Sequence, residues 1–150
     1  MSTTIDKAIK SKFKNEQQRM VVNLIYTSNW LKNIHSDLLQ PFDITPQQYN
    51  ILRILRGNGD WMTMNTVKER MIDKSPNTTR LADKLVAKKF VERKRCEEDR
   101  RVVYVKITAK GLKLMAEIDD KSMKPFEKIA EKISNKDASI VSSILDKLRG

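Results

Sequence analysis

Cysteine and histidine are almost missing from this chain: Cys96 and His35 stand alone among 150 residues. A single cysteine excludes an intrachain disulfide. One of each excludes a zinc site of the usual Cys/His type. Glycine is scarce as well. Gly57, Gly59, Gly111 and Gly150 are the only ones, and none falls in a phosphate-loop pattern. No apolar run approaches the roughly 18 residues that a membrane span needs. The stretch Met1–Gln18 is polar and lacks an apolar signal core. The expectation is a cytoplasmic protein with no membrane partner. The adjacent carboxylates Asp119–Asp120 and Glu97–Asp99 fall on segments expected to be solvated, where they make poor acid/base pairs. No constellation supports catalysis, so the chain is expected not to be an enzyme and to use no metal or cofactor.

Positive charge is what the chain has in excess. Thirty Lys and Arg face 19 Asp and Glu, for a formal charge of +11. Between Thr66 and Lys110 there are 14 Lys/Arg against 7 Asp/Glu, so most of the excess lies in less than a third of the chain. Such a concentration favours a polyanionic partner.

The same stretch organises the rest. Thr63–Met71 reads as a short helix and Ile72–Lys74 as a turn. Ser75 is suited to cap a second helix, with Pro76 at its first position. Leu81 and Leu85 recur there at helical spacing. Asn77, Thr78, Arg80, Lys84 and Lys88 fall on the opposite face. Phe90–Arg95 and Arg101–Thr108 read as strands joined by the polar turn Cys96–Arg100. Trp61 and Met62 are expected to pair with that ribbon. Two helices followed by a basic hairpin make a winged helix-turn-helix. Its second helix suits the major groove, and arginine at the hairpin tip suits a narrow minor groove. Asp99, two residues before Arg101, can orient that guanidinium. A solvated amphipathic helix beside a salt-bridged surface hairpin is the alternative. Cys96 lies between Arg95 and two glutamates and is expected to be an inert thiol.

These segments resemble the multiple antibiotic resistance regulator (MarR) family. Its wing pattern is an Asp, any residue, an Arg, then a strand ending Leu/Ile-Thr-x-x-Gly. Here it stands as Asp99-Arg100-Arg101, Val103, Val105 and Ile107-Thr108-Ala109-Lys110-Gly111. The recognition-helix pattern stands as Ser75-Pro76-Asn77-Thr78-Thr79-Arg80-Leu81 through Leu85. The resemblance covers roughly Glu16–Leu148. It implies a mainly α fold with a small β-wing, in which N- and C-terminal dimerisation helices flank a winged helix-turn-helix. It also implies a homodimeric transcriptional regulator that binds double-stranded DNA, usually as a repressor released by a small aromatic effector. Two departures stand out. Lys89 occupies a turn where the family usually has Gly; a left-handed residue other than Gly costs roughly 1 kcal/mol, so the turn is expected to differ from the family's. Lys68 stands where the family favours Ala, so the first helix of the motif is expected to pack less closely.

The remaining segments fit a single domain over residues 1–150. Glu16–Leu39 reads as a long helix. Its stripe of Val21, Leu24, Ser28, Leu31, His35 and Leu38 outruns what one small domain can cover, which implies a partner helix. Gln40–Ile44 breaks it, and Thr45-Pro46-Gln47-Gln48 starts the next helix, which Arg56–Asp60 ends. After the wing, Thr108 can cap another helix, and Pro125 is expected to kink it. Ser134–Asp137 starts the last helix, whose stripe is Ile140, Val141, Ile144, Leu145 and Leu148. Residues 16–39 and 112–148 are therefore the expected dimerisation helices and 45–111 the DNA-binding unit. The expected DNA contacts are Ser75, Pro76, Asn77, Thr78, Thr79, Arg80, Lys84, Arg95, Asp99, Arg100 and Arg101. Tyr26, Trp30, His35 and Tyr49 are the expected effector contacts. Two other functions remain compatible with the residues: a basic nucleic-acid-binding protein without sequence preference, and a winged-helix module that binds protein.

Overall fold

The computed structural model describes residues 3–150, without the side chains of Ser122, Met123 and Pro125. The kink expected at Pro125 lies outside the described residues. The protein is mainly helical, with one small antiparallel sheet. The chain forms two compact units, Met1–Pro46 and Gln47–Gly150.

The first unit holds a short helix α1 (Ile5–Ala8) and the long helix α2 (Glu16–Leu39). Asn15 caps α2 by accepting from the Gln18 N–H at 2.8 Å, and the Gln18 side chain accepts from the Lys14 N–H at 2.8 Å. One of the helix's orphan donors is met in this way, and the second bond ties the preceding residue to the first turn. Arg19 pairs with Asp6 at 3.0 Å and Glu16 at 3.3 Å. Leu39 is the one buried residue of α2, whereas Met20, Val21, Ile25, Tyr26 and Trp30 all stand exposed. A 3-10 turn, Gln40–Phe42, follows and ends at Asp43 in the left-handed region (φ 54°), where a short polar side chain is tolerated.

The second unit contains most of the core. Helix α3 (Pro46–Asn58) buries Ile51, Leu52 and Leu55 completely. Strand β1 (Met62–Thr63) leads directly into α4 (Met64–Arg70), which Thr63 caps by accepting from the Thr66 N–H at 3.1 Å. Helix α5 (Thr78–Ala87) and strands β2 (Val91–Arg95) and β3 (Val103–Ile107) complete the motif. The sheet order is β1-β3-β2, with Met62 opposite Val105 and Arg93 opposite Val105 on the other side. Val67, Leu85, Val91, Val105, Met115 and Ile118 are buried.

Helix α6 (Ala109–Ala130) leaves the sheet at a close crossing. The Thr108 hydroxyl donates to the Lys89 carbonyl at 2.7 Å and accepts from the Gly111 N–H at 3.0 Å. A Cβ at Gly111 would lie 2.3 Å from the Phe90 carbonyl oxygen and 2.7 Å from Ile107 Cγ1. The Thr-x-x-Gly signature is thus a packing requirement: threonine ties the helix start to the α5–β2 turn, and only glycine lets the backbones approach. Arg56 of α3 and Asp119 of α6 pair at 2.6 Å.

The last helix, α7 (Asn135–Arg149), is capped by Ser134, which accepts from the Asp137 N–H at 3.1 Å and donates to its carboxylate at 2.6 Å. None of its residues is buried.

Candidate nucleic-acid interface

Helix α5 begins later than the sequence suggests. The motif Ser75-Pro76 forms a turn, and the first helical residue is Thr78 after Asn77. Ser75 is not the helix cap. Its hydroxyl oxygen accepts from the Asn77 N–H at 3.2 Å, and its carbonyl accepts from the Thr78 hydroxyl at 3.0 Å. Serine thus closes a local turn rather than capping the helix, two conformations for which its side chain competes. Thr78 is 1% exposed. It cannot face a groove, contrary to the sequence expectation. The inward face of α5 is Thr78, Ala82 and Leu85, with Leu81 only half-buried at its edge. Asn77, Thr79, Arg80, Asp83 and Lys84 lie outside. A threonine and an alanine do not announce an apolar stripe, which is why the Leu81–Leu85 spacing misled by one helical position.

The turn before α5 is held from below. Asn50, 7% exposed, accepts from the Ile72 N–H at 2.9 Å. Lys74 donates to the Glu69 carbonyl. The turn after α5 does not differ as the lysine led one to expect: Lys89 itself takes the left-handed conformation, with φ 64°. Its N–H donates to the Val86 carbonyl at 2.9 Å and the Phe90 N–H to the Leu85 carbonyl at 3.0 Å. This is the Schellman closure, whose left-handed position glycine usually fills. The chain departs from that preference and still makes both bonds. Lys68, the other departure, is exposed on α4.

The hairpin projects arginine. Arg101 belongs to the turn rather than to the strand, since β3 begins at Val103. The Val102 N–H donates to the Asp99 carbonyl at 3.0 Å and the Cys96 N–H to the Val102 carbonyl at 2.9 Å, closing the loop. Asp99 grips Arg101 three times: from the backbone N–H at 3.1 Å, from Nε at 3.1 Å and from Nη2 at 3.2 Å. The Arg101 side chain nevertheless remains 91% exposed. The hydrogen bonds from its side chain and backbone hold the Asp99 carboxyl below the usual carboxylate range. The result is a guanidinium that is oriented and open to solvent at once. Arg95 and Arg100 are exposed beside it, and Cys96 is half-buried. Lys94 sits over the Trp61 ring at 4.3 Å, a further tie between the hairpin and the β1 side.

An unforeseen pair joins the two halves of the surface. Arg93 of β2 donates to the Asp83 carboxylate of α5 at 2.5 Å. Both line a cleft of about 210 Å³ together with Lys68, Thr79, Ala82 and Arg101. No sequence pattern marks partners ten residues apart on different kinds of element. Asn77, Thr79, Arg80 and Lys84 on one side, and Arg95, Arg100 and Arg101 on the other, thus belong to one folded unit.

Of the effector residues, Tyr26 and Trp30 are 48% and 46% exposed and one turn apart on α2. His35 is half-buried further along the same helix, and Tyr49 is half-buried on α3 in the second unit. No group of metal-binding side chains occurs among the described residues. None of the described helices is long and apolar enough to cross a membrane.

A family model described as the MarR family matches residues 42–102, the segment from the end of α2's turn to the wing. A MarR transcription factor from Planctomyces limnophilus is 30% identical, with a TM-score of 0.67 covering 92% of this chain and 98% of that one. The chain belongs to the MarR family. A cysteine-to-serine mutant of MarR from E. coli, solved in complex with operator DNA, is 26% identical with a TM-score of 0.74 over 92% of this chain and 99% of its own. The regulator FarR of Neisseria gonorrhoeae is 27% identical over 127 residues, 85% of this chain and 86% of FarR. This MarR-family protein is accordingly a DNA-binding transcriptional regulator with a winged helix-turn-helix fold.

Proposed function

We propose that the protein is a repressor that binds a pseudo-palindromic operator as a homodimer and is released by a small aromatic effector. The observation that carries the DNA-reading part is Arg101, fully solvated yet held in one orientation by Asp99 in the same unit as the exposed polar face of α5. In this reading α5 enters the major groove with Asn77, Thr79 and Arg80, and Lys84 and Arg95 meet phosphate. Arg101 enters the minor groove, where the narrow groove's negative potential favours a guanidinium. Thr78 supports the helix from inside, and Ser75 and Pro76 shape its approach. That the E. coli neighbour was solved on operator DNA supports the assignment.

The dimer is supported by apolar faces. Ile140, Val141, Ile144 and Leu148 of α7 are each about half exposed, and Val21 and Ile25 of α2 are exposed as well. Residues 16–39 and 112–148 are proposed to join two copies and residues 45–111 to contact DNA. Tyr26 and Trp30 offer exposed rings on which an aromatic effector can stack, with His35 on the same helix as a further proposed contact. An effector that favours the DNA-incompetent state by about 1–3 kcal/mol lowers affinity some 5- to 150-fold. A panel of aromatic acids and phenols that leaves affinity unchanged argues against it.

A salt titration on operator and scrambled duplexes tests the division of labour. Arg101→Ala is expected to weaken binding to both and to flatten the salt slope by roughly one phosphate equivalent. Asn77→Ala is expected to erode discrimination by about 1–3 kcal/mol per lost base contact. Full discrimination in Asn77→Ala, Thr79→Ala and Arg80→Ala alike would mean that α5 does not read bases. Binding that never discriminates points to a nonspecific protein, and no salt-dependent affinity at all to a protein-binding module.

A further inference from the structure

Asp83 is the exception on the outward face of α5. Its neighbours there, Arg80 and Lys84, are cations. An aspartate three residues after an arginine on a helix lies within its reach. Yet the carboxylate accepts from Arg93 across the cleft, and Arg80 makes no ion pair among the described residues. The side chains of Asp83 and Arg93 keep 50% and 34% of their exposure, so the pair adds little to folding stability. Its geometric effect is larger. Helix α5 runs into β2 through the short turn at Lys88–Phe90, which holds a left-handed lysine. The Asp83–Arg93 bond is a second connection between the same two elements, made from side chains that point outward on each.

We propose that Asp83 is a positioning residue for DNA recognition: by pairing with Arg93 it fixes α5 against the β2–β3 hairpin and leaves Arg80 free for DNA. The inference rests on the reading of α5 and the wing as the DNA surface. Two consequences follow. The spacing between the helix in one groove and Arg101 in the next is set before DNA arrives, so less ordering is left to binding. Arg93, although it belongs to the basic hairpin, is committed to Asp83 and is not a primary phosphate contact. Losing Arg93 would also release Asp83 to capture Arg80, a cost beyond the removal of one charge.

The probe is a duplex enriched by the wild-type chain from random-sequence DNA, with a scrambled duplex as comparator. Asp83→Asn keeps the size of the side chain and removes a negative charge from a DNA-facing helix, so net-charge reasoning predicts tighter binding. The positioning role predicts the opposite: affinity for the enriched duplex falls about tenfold, the scale of a coupling between contacting residues. Hydroxyl-radical protection by the wing falls with it. The reversed pair, Asp83→Arg with Arg93→Asp, keeps both net charge and the connection, and is expected within about threefold of wild type. Asp83→Asn binding as tightly as wild type or more tightly overturns the proposal, as does a reversed pair no better than Asp83→Asn alone. Failure of the underlying reading looks different: the wild-type chain then shows no preference for the enriched duplex, and the proposal falls with that reading.

Discussion

Helices α5 and α7 belong to the same unit and are both amphipathic, but their apolar faces meet opposite fates. On α5 the modest trio Thr78, Ala82 and Leu85 is buried, with Thr78 and Leu85 at 1% and 0% exposure. On α7 the stronger stripe of Ile140, Val141, Ile144 and Leu148 is about half exposed throughout. Apolar content does not decide burial; what the chain places opposite does. Helix α5 is short and seated on a prepared core, so its other face is left for polar contacts. Helix α7 brings a surface that the described residues of one copy leave uncovered. Exposed apolar stripes of that kind mark interaction sites, which is the basis for reading α5 as the DNA side and α7 as an assembly side.

The largest expected effect breaks the α7 side. Ile140→Asp with Ile144→Asp would bury charge in the proposed dimer interface, raising the dimer dissociation constant by about 100-fold or more. Sedimentation across a concentration series reads it directly. A dimer of unchanged strength would remove α7 from the interface. Next is the packing beneath α5. Gly111→Ala places a methyl against the Phe90 carbonyl, so stability should fall by about 1–3 kcal/mol, seen as a lower denaturation midpoint with unchanged m-value. A neutral result would mean that the α6 crossing is looser than described.

Smaller still is the strain at the end of α5. Lys89→Gly relieves a left-handed non-glycine residue and should raise stability by up to about 1 kcal/mol. A loss of stability would show that the lysine side chain contributes something its conformation does not reveal. The smallest effect lies at the wing. Asp99→Ala should weaken DNA binding by about two- to fivefold, what an exposed ion pair can supply, although it removes a charge that repels phosphate. Because the folded-state pKa of Asp99 is depressed, the Asp99–Arg101 contact is present above that pKa and lost as pH falls through it. A carboxyl NMR titration should therefore give a midpoint below the reference 3.8, and Arg101→Ala should return it towards 3.8.

Much of this arrangement was legible in the residues. Helix α2 runs from Glu16 to Leu39 as its spacing implies, and the Thr108 and Ser134 caps act where the pattern puts them. Local hydrogen bonding and periodicity suffice for such features. The start of α5 was not legible, because Ser75-Pro76 fits a turn as well as a cap. Thr78 looked like a surface residue because a buried hydroxyl is recognisable only when its acceptor, the Ser75 carbonyl, is in place. Arg101 read as a strand residue because valines follow it, whereas its bonds to Asp99 hold it in the turn. The Asp83–Arg93 pair depends on how β2 folds back along α5, which no spacing rule encodes.

The central claim is that two copies, joined through the uncovered helices, present two α5 surfaces to one DNA. The most direct measurement is selection of duplexes from random-sequence DNA by the wild-type chain, followed by sequencing of the bound pool. The account predicts an inverted repeat whose half-sites lie about 10 bp apart, centre to centre. Enrichment of a single unrepeated element, or no enrichment at all, would contradict it.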